Sequence, residues 1–149
     1  MAYSEMPLTV IDAEGLGERV HDRGGEREVR FHWYSTPTLL PVIWDGRLRV
    51  VRWGNRDRVE KKLPPTGWTW AESVENGKWS ALAPEPVLIP ATFAYSEGVW
   101  FKLKQGVEGL LVLDRRGVPV VYMVCRPSTR YFRVMTRSEW MPSLVGEVI

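Results

Sequence analysis

Cysteine is nearly absent from this 149-residue chain, which carries only Cys125. One thiol can neither close an internal disulfide nor build a cysteine-based metal site, and the two histidines, His21 and His32, offer no pair at metal-ligand spacing. No metal and no cofactor is expected. Long apolar runs are missing too: "GLLVL" and "VPVVYMVC" fall far short of the about 20 residues that span a bilayer. The opening "MAYSEMPLTVIDAEG" has no basic segment followed by an apolar one, so no secretory leader is read. The expectation is a soluble, cytoplasmic protein with no membrane partner. No phosphate-cradling glycine loop, nucleophile or metal set appears, which leaves an unrelated β-rich enzyme without support.

What is present is the rhythm of a β-rich domain. Pro and Gly punctuate short segments, and the length suits one domain over 1–149 with a core of its own. In "PVIWDGRLRVVRWG" the Asp45-Gly46 pair between two apolar stretches predicts a hairpin from about Pro41 to Trp53. Arg47 and Arg49 alternate with Leu48 and Val50, so these cations are expected on one sheet face, and Val51, which breaks the alternation, marks a candidate bulge. "VWFKLKQG" reads as a half-buried strand with Val99, Phe101 and Leu103 inward. "EGLLVLDRRGVPVVYMVCRP" reads as two strands covered on both faces and joined by a charged turn. "RYFRVMT" reads as a further strand, burying either Phe132 and Val134 or Tyr131 and Met135. Helical spacing is confined to "WAESVENGKWSAL" and a short turn within residues 11–23. The fold class is therefore mainly β (α+β): antiparallel hairpins with one or two short helices.

Charge is unevenly spread. Residues 1–31 carry a net −3, residues 47–62 a net +5, and residues 126–137 hold Arg126, Arg130, Arg133 and Arg137 with no acid. Between Arg52 and Trp79, cations interleave with Trp53, Trp68, Trp70 and Trp79. Rings for base stacking beside cations for phosphate are what a single-strand nucleic-acid surface requires. Buried tryptophans under a solvated basic face would read the same way, so both interpretations stand at the level of composition.

The order of landmarks from about Tyr34 to Met141 resembles the SRAP family, the SOS-response-associated domain that senses abasic sites in single-stranded DNA. The similarity runs through "WYSTPTLLPVI", "RWG" at Arg52 to Gly54, "AESV" at Ala71 to Val74, "VLIPATFAYSEGVWF" and the hairpin "GLLVLDRRGVPVVYMVCRP". It implies a SRAP-like single domain that binds single-stranded DNA in the DNA-damage response. Family members capture the abasic aldehyde with an N-terminal cysteine, assisted by a glutamate, an asparagine and a histidine. Here Ala2 stands at the cysteine position, Trp68 at the asparagine and Trp70 at a neighbouring arginine. The glutamate is Glu97 if one residue is inserted, Ser96 if not, and Ser138 replaces the histidine. With the initiator methionine removed, as expected ahead of a small residue, the resemblance thus implies a catalytic pair of the Ala2 amine, able to form an imine, and Glu97 beside it. A catalytically inert, phage-derived interaction protein of the same fold is the alternative. Candidate nucleic-acid contacts are Arg49, Arg52, Trp53, Gly54, Arg56, Arg126 and Arg130, with Gly54 expected to leave Trp53 in open surroundings. Cys125, inside an apolar strand, is read as a small core hydrophobe.

Overall fold

The computed structural model describes residues 1–147. Numbered along the chain, the strands are β1 (Ala2–Tyr3), β2 (Val20–Arg23), β3 (Glu26–Arg30), β4 (Leu39–Trp44), β5 (Arg47–Trp53), β6 (Trp68–Trp70) and β7 (Glu85–Pro90), followed by β8 (Phe93–Ser96), β9 (Val99–Lys102), β10 (Gly106–Leu113), β11 (Pro119–Pro127), β12 (Trp140–Pro142) and β13 (Leu144–Val145). Three short α-helices accompany them among the described residues, α1 (Leu8–Ala13), α2 (Ala71–Glu75) and α3 (Arg130–Thr136), with 3-10 turns at Gly17–Arg19 and Ser80–Leu82. The protein is mainly β, as its turn spacing predicts. No helix among the described residues is long and apolar enough to cross a membrane.

The larger sheet closes on itself. β11 pairs antiparallel with β10 and parallel with β5, and β5–β4, β4–β7 and β7–β10 complete a five-strand ring. Closure leaves these strands no free edge to aggregate. Side chains of alternate residues fill the two sides of the wall. Leu40, Val42, Val51, Ile89, Val107, Leu111, Val121 and Met123 belong to one core cluster. Leu110, Val112, Val120, Tyr122 and Val124 belong to a second, with Leu63, Ala71 and Trp79. β10 and β11 are therefore buried on both faces, which is why their sequence is continuously apolar.

The β4–β5 hairpin turns on Asp45 and Gly46, both at positive φ (51° and 70°), as a two-residue primed turn demands. The register runs unbroken from Leu39 opposite Arg52 to Trp44 opposite Arg47, so the bulge expected at Val51 is not there. Unbroken alternation instead puts Arg47 and Arg49 on the face of Val51 and Trp53, with Arg52 on the opposite face. The Arg49 guanidinium lies 4.7 Å from the Trp44 ring.

The smaller sheet has the order β2-β3-β1-β8-β9. Its middle strand is β1, where Ala2 is opposite Arg30 on one side and Phe93 on the other. The β2–β3 hairpin, turning through Gly24 and Gly25, was not anticipated from its acid-rich sequence. "RYFRVMT" is also a correction, being the helix α3 rather than a strand. The Thr129 hydroxyl caps it, accepting the Phe132 N–H at 3.2 Å. The buried residues Phe132 and Thr136 are one helical turn apart, and the Phe132 ring meets Phe101 edge-on at 5.2 Å. Burial at i and i+4 satisfies a helix, and Tyr131 and Val134 are left exposed.

Candidate functional site: a tryptophan-lined cleft

β6 owes its position to two close approaches. Gly54 follows β5 with φ +64°, and a Cβ there would collide with the Thr66 carbonyl oxygen. A Cβ at Gly67 would lie 2.4 Å from Cζ3 of Trp33. Gly54 is therefore enclosed by backbone, not open as expected, and the two glycines let the Thr66–Gly67 segment seat against β5. β6 then pairs in parallel with β11, Met123 opposite Trp68. In its "WTW" sequence the strand alternation sends Thr69 inward, where its hydroxyl accepts from Trp79 Nε1 at 2.8 Å. Trp68 and Trp70 consequently share the other side, and both line a cleft of about 650 Å³.

The cleft is walled by rings. Trp33, Trp53 and Trp68 form a triangle with centroid separations of 5.1, 4.8 and 5.3 Å. Trp53 is its buried member, 4% exposed, and donates from Nε1 to the Gly67 carbonyl at 2.8 Å. Trp70 and Trp140 pack together across β6 and β12 and keep 41% and 45% of their surface exposed. Tyr34 and Tyr95 also line the cavity. Trp79 does not; it packs on Tyr122 at 4.8 Å in the second core cluster.

Polar groups are few. The Met1 α-amine donates to the Phe31 carbonyl at 3.0 Å, and Met1 contributes to the cleft wall. Burial pushes this amine down from about 8 to about 5, opposed by the Glu28 carboxylate and aided by Arg30, so it is neutral at pH 7. Burial, then the nearby amine and Arg30, likewise lowers His32 below the ordinary imidazole range. Glu28 is buried and bonded by Arg23 and Arg30, with Nε–carboxylate distances of 2.5 and 2.7 Å. Cys125 lies in the wall with its thiol pushed up to about 12 by burial, the state of a packing group rather than a nucleophile.

The predicted residues divide. Trp53 lines the cleft, and Arg56 braces it, donating to the Trp33 carbonyl with its guanidinium 5.8 and 6.0 Å from the Trp33 and Tyr34 rings. Arg49, Arg52, Arg126 and Arg130 are not among its lining residues. Alternation explains two of these, since Arg52 and Arg126 point away from the neighbouring Trp53 and Cys125. Arg52 is 3.8 Å from Asp114, and Arg126 is 3.9 Å from Glu75 and 3.8 Å from Glu108. Ala2 is fully buried in β1, whereas Glu97 occupies the β8–β9 turn at φ 49°. Phe93, the partner of Ala2, is four residues from Glu97, about 13 Å of extended strand. The expectation that Glu97 sits beside Ala2 is thus corrected by the length of β8.

Most of the positions that the resemblance assigned separately do converge. Trp68, Trp70, Ser96, Glu97 and Ser138 line this one cleft together with Met1, although they come from both sheets and from the segment after α3, whereas Ala2, the cysteine position, is buried in β1 and is not part of the lining. Trp33, Tyr95 and Trp140 were missed by sequence reading; nothing local distinguishes them, since they join the site only through tertiary packing. No family model matches the chain, and neither a curated protein nor a solved structure matches it.

Proposed function

We propose that this is a SRAP-like protein that binds single-stranded DNA, holding an unpaired base in the tryptophan-lined cleft, in the DNA-damage setting the resemblance implies. The observation that carries this reading is the convergence of most of the resemblance-assigned positions on one aromatic cavity. Indole faces stack on any base, which gives sequence-tolerant binding, and Arg56 beside Tyr34 offers a cation to a neighbouring phosphate. The family's covalent set is replaced: there is no thiol at residue 2, and indoles stand at Trp68 and Trp70. Fluorescence anisotropy of a labelled oligothymidylate, read together with tryptophan emission, tests the reading. Saturable binding with quenching is expected, and Trp70→Ala should weaken it by about 1–3 kcal/mol. No binding at low salt would remove the nucleic-acid reading and leave an inert interaction protein.

A second reading, imine formation with an abasic aldehyde, is favoured by one feature, the Met1 α-amine, which burial lowers to about 5 and whose residue lines the cleft. An uncharged amine attacks an aldehyde and releases water, and borohydride fixes the imine. Trapping on an abasic single strand that disappears when the amine is acetylated would establish it; absence of trapping alongside intact binding would exclude it.

A further inference from the structure

The two readings share a cleft and differ in its occupant, and the chemistry of the walls discriminates between the occupants. Trp33, Trp68, Trp70 and Trp140 supply ring faces, with Trp53 buried behind them, and no Lys or Arg lines the cavity among the described residues. Glu97 is among the lining residues, and the guanidinium groups against wall rings, Arg56 on Trp33 and Tyr34 and Arg19 on Phe31, belong to residues outside the lining. A phosphate drawn inside would meet a carboxylate and no counter-charge. A neutral flat ring would replace solvent on apolar faces, its edge within a lining that includes the hydroxyls of Thr66, Ser96 and Ser138 and the neutral His32 imidazole. A cavity of about 650 Å³ falls within the range of small-molecule sites. An abasic sugar has no π face, so it forgoes the stacking on indole that a base gains, whatever its hydroxyls find in the lining.

We infer that this cleft selects a base-bearing nucleotide and discriminates against an abasic one. The inference rests on the single-stranded DNA reading and chooses its non-covalent form. It makes the indoles at Trp68 and Trp70 the specificity-determining residues, because they turn a polar, lesion-reading wall into a stacking one.

The test compares two 12-mers of equal phosphate count at low salt: oligothymidylate, and the same backbone carrying only tetrahydrofuran abasic units. Because the second contains no base, the protein cannot evade the comparison by shifting register. Oligothymidylate should bind about tenfold tighter or more, the scale of one stacked base, and it alone should quench tryptophan emission. Trp70→Ala should narrow the ratio. Should that variant not fold, competition on the unaltered protein serves instead, where thymidine 5′-monophosphate should displace labelled oligothymidylate and 2-deoxyribose 5-phosphate should not. Equal affinity for the two 12-mers, or equal displacement by the two monophosphates, overturns the inference while sparing DNA binding. Binding of neither 12-mer removes the underlying reading and the inference with it.

Discussion

At the scale of single residues, the most unusual group is the Met1 amine. A cationic group whose folded pKa, about 5, lies below its ordinary value near 8 is protonated more readily in the unfolded chain. Its contribution is therefore complete above pH 8, declines as pH falls towards 5 and changes no further below that. With both states of the chain beginning at Met1, the loss is at most about 4 kcal/mol. Urea midpoints at pH 8 and pH 5 should differ in that direction, and acetylating the amine should shrink the difference. Gly54 gives a second outcome. Gly54→Ala should cost about 1–2 kcal/mol from the left-handed backbone alone, with the collision at Thr66 added, visible as a lowered melting temperature. Cys125, with its thiol pushed up to about 12, should resist iodoacetamide at neutral pH until the protein is unfolded.

Elements decide what these residues can reach. α3 precedes Ser138 and Trp140, two residues of the cleft wall, and its hold on the body of the protein is Phe132 against Phe101. Thr129→Ala removes the cap and should cost about 1 kcal/mol; Phe132→Ala should cost about 3–5 kcal/mol, both measured by denaturant unfolding. The pattern "WTW" has a similar logic. Removing Trp70 should affect ligand binding more than folding, because the ring is half exposed, whereas removing the Thr69 hydroxyl strands the buried Trp79 N–H and should lower stability. The β4–β5 hairpin was legible before the structure because its signal is local: two residues that tolerate positive φ between apolar arms. α3 was not, since alternation and helical spacing coincide over seven residues, and the Thr129 cap and the burial of Phe132 and Thr136 choose between them.

Taken as a whole molecule, part of the basic character is neutralised within the protein. Arg23 and Arg30 serve Glu28, Arg52 faces Asp114, Arg115 approaches Glu60, Arg126 sits between Glu75 and Glu108, and Arg133 approaches Glu139. DNA binding should accordingly show a shallow salt dependence, since each phosphate neutralised on a single strand contributes only about 0.7 to the log–log slope. Arg56→Ala should reduce that slope, and Arg126→Ala should leave it unchanged. A steep slope, or one that collapses with Arg126→Ala, would relocate the backbone path to the far side of the barrel wall.

The sequence by itself determined the β-rich class, the DG hairpin, the doubly buried strand pair 108–127 and the burial of Cys125 within it. Each follows from short-range physics: turn dihedrals, alternation and the apolar content of a strand. It also marked the places where a site would form, without showing that they meet. Tertiary structure decided the rest. Ring closure through the parallel β5–β11 contact, and the central place of β1 between two hairpins, bring residues 1, 33, 53, 68, 70, 97, 138 and 140 to one cavity. Whether a tryptophan is wall or core, and whether an arginine is free or paired, depends on neighbours distant in the chain. For that reason Trp68 and Trp79, alike in sequence, ended in different places, one in the cleft and the other in the core.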